Sequence, residues 1–432
     1  MKMTVKLIVI TFISIFLVLC TVSVKPASSS TEIVEDSWAS KKPMPSERSG
    51  FGVAVVNGKI YAVGGYPTGN INEMYDPASD TWTELAPMPT ARDNFGIAVY
   101  QNKIYAIGGQ IGAVLYPPVG VANYSMQVLT GANEVYDTAT NTWQTRTSMP
   151  TPRNYLQANV ADGKIYLIGG EAQQPLDEAP QEHFSNVTEV YDPETDSWTT
   201  MSPIPTKVSG YASAVVDDKI YIISGWSDKP RISGLVQIFD PKTNNWTFGK
   251  PIPVPIREAA AGATTGNMAP KRIYVFGGCT TASSVADPKV ILGITQIYNP
   301  QNDEWSNGTS MPTKRRSLAV AVLNDTLYAL GGATDSLVAT NERYIPIGYG
   351  TPENTELPTN TEPTTAPTRP FPTVLVAYAS AASAIGIGAG LIVYLKKHRH
   401  YTSPAEVCKR PISSFFCLFL RFFMKTAKKR CF

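Results

Sequence analysis

Residues 58–65 read GKIYAVGG, and five near copies follow: NKIYAIGG (102–109), GKIYLIGG (163–170), DKIYIISG (218–225), KRIYVFGG (271–278) and DTLYALGG (325–332). The octet carries no nucleophile, no metal ligand and no acid–base pair. What it carries is a β-branched and aromatic run closed by a glycine pair, which reads as a strand ending in a special backbone turn. The run is apolar nearly throughout instead of alternating, so the strand is expected to be packed on both faces.

Aligning the six copies exposes a longer unit. Upstream lies a turn and an apolar strand, as in MPTARDNFGIAVY (88–100). Downstream come a loop of variable length and then NEVYDTATNTW (133–143) or TEVYDPETDSW (188–198). The pairs begin at 64, 108, 169, 224, 277 and 331, and the fourth is Ser224-Gly225. A period of about 50 residues made of several short strands indicates a propeller or solenoid. No helical periodicity appears between the copies.

Trp38, Trp82, Trp143, Trp198, Trp246 and Trp305 recur with the unit. The sixth copy ends at NERYIPIGYG (341–350) with no tryptophan after it, whereas Trp38 precedes the first octet. The strand around Trp38 is therefore expected to complete the last blade and close the ring, which removes the free sheet edges of an open array. Trp226 stands outside the pattern and is expected to line a loop.

The unit resembles the kelch repeat at the glycine pair, the tyrosine of VYD (Tyr75, Tyr136, Tyr191, Tyr298, Tyr344) and the tryptophan that follows. The resemblance covers about 36–345. It implies an all-β, six-bladed kelch-type β-propeller with four-stranded blades. These core residues are structural, so function is expected in the loops and around the channel.

The segments outside the propeller have their own signals. Lys2 and Lys6 precede an uncharged apolar run, Leu7–Cys20, and a small-residue stretch. That is a secretory signal layout over 1–29, with cleavage expected between Ser23 and Ser29 and an uncleaved anchor as the alternative. Residues 346–372 are Pro/Thr-rich and read as an extended stalk. Val374–Leu395 has no charge over 22 residues, enough for a membrane helix at 373–395, and KKHRH (396–400) follows it. The basic flank places the tail 396–432 in the cytoplasm and the propeller outside a cell membrane, as a single-pass protein. Gly386 and Gly390, with Ala382 one turn earlier, permit weak homodimeric helix pairing. The tail segment 411–425 is aromatic and basic, which suits a helix lying on the inner leaflet.

Composition narrows the function. The tail holds ten lysines and arginines against one glutamate, while residues 30–395 hold 24 against 34 acidic residues. So acidic a folded part is not built to bind nucleic acid. Cys279 is the one cysteine in 30–395, so no disulfide is available there. The chain has three histidines, of which His398 and His400 follow the expected span. This excludes a copper site like that of galactose oxidase, itself a kelch propeller, and no cofactor or metal is expected. The Asp box of sialidases is absent.

Two features mark a candidate site. The position after MP-x-x is Arg48, Arg92, Arg153 and Arg315 in four repeats, and Val208 and Ile256 in the other two, with Lys207, Arg257 and Arg316 adjacent. The kelch pattern puts these at the start of the innermost strands, so Arg48, Arg92, Arg153, Arg257, Arg315 and Arg316 are expected to ring a channel mouth. Such a ring would bind a carboxylate-bearing ligand or acidic peptide. Some animal kelch propellers hold acidic partner segments with such arginines. The structural alternative is that they bond backbone carbonyls. The second feature is a pair of long loops, 110–131 and 171–187, in consecutive blades. With Tyr116, Tyr124 and His183 they form an expected partner surface. Asn123, Asn186, Asn245, Asn307 and Asn324 begin glycosylation sequons.

The function expected is non-catalytic binding of a protein or glycan at the cell surface. The alternative is a carbohydrate-active enzyme resembling the six-bladed kelch epimerases (mutarotases) of sialic acid, with Glu47 and Glu258 as acid/base candidates.

Overall fold

A computed structural model of the chain describes residues 33–116, 124–173, 183–228, 230–281 and 289–351. The expected leader, membrane helix and tail, and the stalk beyond Thr351, lie outside the described residues, as do the Gly386/Gly390 face and Asn123. Among the described residues every regular element is a strand.

Six four-stranded antiparallel blades account for most of them. Blade I runs Gly52–Val56, Lys59–Val63, Asn72–Asp76 and Thr81–Glu84. Blade II runs Gly96–Tyr100, Lys103–Ile107, Asn133–Asp137 and Thr142–Arg146, and blade III Ala158–Ala161, Lys164–Ile168, Thr188–Asp192 and Ser197–Met201. Blade IV is Ala212–Val216, Lys219–Ile223, Val236–Asp240 and Asn245–Gly249, and blade V Ala260–Ala263, Ile273–Phe276, Thr295–Asn299 and Glu304–Gly308. Blade VI takes Ala319–Leu323, Thr326–Leu330 and Asn341–Ile345 from the end of the domain and Ser37–Lys41 from its beginning. The innermost strands neighbour one another in the order I to VI and back to I, which closes the ring around a channel.

The octet strands are the second strands. Ile104, Ala106 and Ile107 have no solvent exposure, because both faces of the strand meet an adjacent blade. Between blades II and III, for example, Ile107 packs with Leu156, Ile165, Leu167 and Tyr191. The glycine pair then turns the chain at the channel mouth. Its first residue has φ of 52–73°, a left-handed value that Ser224 also adopts at 59°. Its second has φ of 82–107°, where an L side chain is strained. Space is short there as well: a Cβ on Gly65 would lie 2.6 Å from Phe51 Cβ. The crowding has a cause. The second residue of each pair donates its N–H to a carbonyl of the next blade: Gly65 to Arg92, Gly109 to Arg153, Gly170 to Val208, Gly225 to Ile256, Gly278 to Arg315 and Gly332 to Arg48, at 2.8–3.0 Å.

The opposite face is fastened by the turn between the tyrosine and the tryptophan of each unit, YDPASDTW (75–82) in blade I. Tyr75 donates to Asp80 (2.5 Å), and Asp80 also accepts the Lys42 N–H (2.9 Å). Trp82 Nε1 donates to the Lys42 carbonyl at 2.9 Å. The closing strand repeats this chemistry: Tyr344 donates to Asp36 (2.5 Å), Asp36 accepts the Thr309 N–H (2.6 Å), and Trp38 Nε1 donates to the Thr309 carbonyl (2.8 Å). Trp38 stands opposite Tyr344 in register as Trp143 stands opposite Tyr136. Past blade VI, Gly350 donates to the Met268 carbonyl (2.6 Å) and Gly348 to Glu35 (2.8 Å), so the first residues of the expected stalk are held against the propeller.

Because the closing strand uses the same contacts as the other outer strands, Trp38→Ala is expected to cost about as much stability as Trp143→Ala, on the order of 3 kcal/mol. Denaturant unfolding of the full chain measures both. A neutral Trp38→Ala beside a costly Trp143→Ala would contradict closure by this strand.

Candidate functional site at the channel mouth

The arginine set divides in two. The expectation that all six guanidinium groups ring the mouth is corrected for four of them. Arg48, Arg92, Arg153 and Arg315 are 0–1% exposed and point back into their own blades. Arg153 pairs with Glu189 at 2.8 Å and donates to the carbonyls of Gly169 (2.6 Å), Val187 (2.9 Å) and Leu167 (3.3 Å). Arg48 does the same with Glu73, and Arg315 with Glu342; Arg92 pairs with Glu134 and donates to the Ala106 carbonyl. The other oxygen of each carboxylate takes a hydroxyl from Ser46, Thr90, Thr151 or Thr313. Burial pulls the Arg48 guanidinium down to about 10 against the pull of Glu73, and burial pushes Glu73 up. These arginines satisfy the carbonyls that the glycine turn leaves inside the blade, and none is free to take a ligand.

The two repeats that lack this arginine lack its glutamate too. Blade IV has Val208 with Gln237, and blade V has Ile256 with Gln296. Gln237 bonds the N–H and carbonyl of Thr206 (2.8 and 3.0 Å), and Gln296 those of Val254 (2.9 and 3.1 Å). Charge leaves both positions together, since either charge alone would be buried without compensation. The signal was present in the sequence, in the E/Q before each M/V/I/R-Y/F-D/N/I triplet, but it is meaningful only once the two positions are known to touch.

One residue further on come Arg257 and Arg316, and two residues further on the chain reaches the channel mouth in every repeat. Gly50, Asn94, Tyr155, Gly210, Glu258 and Ser317 all have left-handed φ of 49–62°. Each passes one N–H to the carbonyl of the preceding blade's residue, at 2.7–3.1 Å, so six peptide groups form a closed collar about the axis. Above the collar lies a cavity of about 430 Å³, lined among others by Tyr66, Asp93, Gln110, Gln127, Tyr155, Trp226, Arg257, Glu258 and Arg316. Trp226 thus lines the mouth. Arg257 Nη1 contacts Glu258 Oε1 at 2.8 Å, and Arg316 Nη1 contacts Glu258 Oε2 at 2.5 Å. The Arg257 guanidinium lies 4.0 Å from the Trp226 ring centre and that of Arg231 5.2 Å. Burial alone would raise the Glu258 carboxyl, but the two arginines and the Ser317 hydroxyl outweigh it and hold the group below its usual range. Glu258 therefore stays ionised. Burial pushes the Tyr155 phenol up, and Glu258, Glu171 and Asp93 push it further, so it stays protonated. Burial also pushes the Asp93 carboxyl up to about 6, opposed by its hydrogen bond from Asn94. The Arg316 side chain is 28% exposed and gives its Nη1 to Glu258, so the cluster retains donors for an anionic group.

The long loops rise at the same end. Gln110–Tyr116 and Tyr124–Leu129 pair as a hairpin in which Tyr116 stands opposite Tyr124. Gln173 joins the two loops: its Oε1 accepts the Leu129 N–H (3.0 Å) and its Nε2 donates to the Gln127 carbonyl (3.2 Å). The His183 carbonyl accepts from Ala172 (2.9 Å), beside Phe184, whose ring lies 6.3 Å from Trp226. Glu47 and Lys207 are exposed and absent from the cavity wall, so Glu47 and Glu258 do not converge on it. Asn186, Asn245, Asn307 and Asn324 are exposed. Cys279 is buried and pairs through its backbone with Arg257. Among the described residues no cluster of three or more His, Cys, Asp or Glu is placed to hold a metal.

A closed ring of six repeats with its variable residues gathered at one mouth defines a β-propeller of the repeat type. The chain belongs to the kelch-repeat propeller proteins: it matches the Attractin/LZTR1 beta-propeller family over 124–345 and the Kelch motif over 47–89 and 91–150. Kelch-like protein 15 of Danio rerio is 30% identical over 206 residues, which is 46% of this chain and 33% of that protein. Kelch-like protein terF of Aspergillus terreus is 28% identical over 217 residues, 48% of this chain and 44% of that one. Alpha-scruin of Limulus polyphemus is 26% identical over 230 residues, 52% of this chain and 24% of the relative. The chain thus spans less than half the length of these relatives. The solved structure of YjhT superimposes with a TM-score of 0.60 at 19% identity, over 70% of this chain and 95% of that one, a likeness of fold.

Two outcomes test this assignment of roles. Glu189→Ala is expected to destabilise the full chain by about 3–5 kcal/mol, because Arg153 is left charged and unpaired. The pair Arg153→Val with Glu189→Gln, which copies blade IV, is expected to recover most of that loss in the same unfolding measurement. Asp93 adds a pH signature. Its folded pKa is raised, so the folded state binds the extra proton and loses stability as pH rises from about 4 through about 6. Asp93→Asn is expected to raise the melting temperature at pH 7.5 and to leave it unchanged at pH 4.

Proposed function

We propose that the chain is a non-catalytic binding module, displayed outside a cell membrane, that takes a protein ligand at the channel mouth through a carboxylate of the partner. The observation that carries the reading is the Arg257–Glu258–Arg316 cluster in the wall of a 430 Å³ cavity, with donors left over. Two guanidinium groups share one carboxylate, so the cluster keeps a net positive charge for a second carboxylate. The surroundings suit a protein partner. Tyr66 is 59% exposed beside the cavity, and Ile111 and Val290 are exposed on the loops of the same end. An aromatic and aliphatic rim around arginines is the composition of a protein-binding surface. The surface location is supported by the basic, apolar and small-residue order of 1–29 and by the uncharged run before KKHRH.

The test is a peptide and glycan array probed with the full chain, followed by titration of the hits. Arg316→Ala and Arg257→Gln are each expected to weaken binding at least tenfold, whereas Glu47→Gln leaves it unchanged. Hits confined to glycans would replace the protein ligand with a sugar. Turnover of a sialic-acid-type sugar, lost in Glu258→Gln, would replace binding with catalysis.

A further inference from the structure

The wall facing the arginines has the opposite character. In a ring of six, blade II stands across the channel from blade V, and the order of the innermost strands fixes that arrangement here. Arg257 comes from blade V and Arg316 from blade VI, while Asp93, Gln110 and Gln127 come from blade II. Among the described residues no cation pairs with Asp93, whose carboxylate takes one side-chain hydrogen bond, from Asn94 Nδ2 at 2.6 Å. Gln127, also in the cavity wall, accepts at Oε1 from Nδ2 of the buried Asn154 of blade III at 2.7 Å, and an amide oxygen has a second lone pair to offer. This wall therefore holds spare acceptors. The wall of blades V and VI holds spare donors on the part-exposed Arg316 guanidinium, of which Nη1 is given to Glu258.

We propose that the ligand segment seated in this mouth is dipolar, with a carboxylate against Arg257 and Arg316 and a cationic or hydrogen-bond-donating group against Asp93 and the amide oxygens beside it. This rests on the reading of the mouth as a protein-binding site and specifies what it selects. A purely acidic segment satisfies the arginines but brings a second negative charge toward Asp93, and like charges brought together in a partly desolvated cleft cost affinity. A segment with both signs pairs each wall with its complement. Specificity then comes from Asp93 as much as from the arginines, because Asp93 disfavours ligands that the arginines alone would accept.

The experiment is calorimetric titration of the full chain with capped glycine-based peptides that carry one glutamate, one lysine, or both separated by zero to two glycines. The best mixed peptide is expected to bind at least tenfold tighter than the glutamate peptide, and Asp93→Asn is expected to collapse that gap. Equal affinity of the glutamate and mixed peptides would overturn the dipolar ligand and leave the carboxylate site standing. Binding of neither would remove both readings. A tenfold gap that survives Asp93→Asn would also overturn the inference, since the preference would then arise elsewhere.

Discussion

Each blade of this ring gives one backbone N–H to the next, and the rest of the structure accommodates that bond. For the second residue of the glycine pair to reach the carbonyl of Arg92, or of its counterpart in another blade, the two backbones must approach within hydrogen-bonding distance. A side chain would fill that gap, and a φ of 82–107° would strain one. The same approach explains why serine appears at Ser224 and not one residue later. Its φ of 59° is tolerable, and its hydroxyl bonds the Ile256 carbonyl at 2.6 Å, beside the position where other blades carry arginine.

The glycine turn leaves carbonyls inside the blade, and the repeats meet that need in two ways. Four use a buried arginine neutralised by a glutamate from the third strand, and two use an aliphatic residue with a glutamine. The first arrangement brings a charge into the protein to bond two to four carbonyls, and it needs its counter-charge at 2.5–2.8 Å to do so. The second avoids the charge. Four repeated arginines with Arg257 and Arg316 beside the same position suggest a cationic ring of six in one dimension. In three, four of them are part of the interior, and the ligand-facing pair is Arg257 with Arg316, one position further along.

That shift by one residue moves a side chain from inside the blade to the mouth. Tyr155 and Glu258 lie one residue beyond that register, and their left-handed backbone is held by the collar of six peptide hydrogen bonds. Non-glycine residues in that conformation carry a cost that the ring offsets. The return is a fixed platform under the cavity, with the Glu258 carboxylate set between two guanidinium groups.

The sequence by itself determined the architecture: the octet and its period gave the blades, the tryptophan count gave closure by the strand at Trp38, and the glycine pairs marked the turns. These are legible because each depends on a residue's own backbone preference or on a spacing repeated six times. The loops around 110–131 and 171–187 were also legible as neighbours, from their place in consecutive blades. The direction of each arginine was decided only by the tertiary structure. Arg315 and Arg316 are adjacent in the chain, yet one pairs with Glu342 inside its blade and the other with Glu258 across a blade boundary. Strand pleat sends adjacent side chains to opposite sides, but which side holds a counter-charge depends on residues 27 and 58 positions away. No local pattern records that.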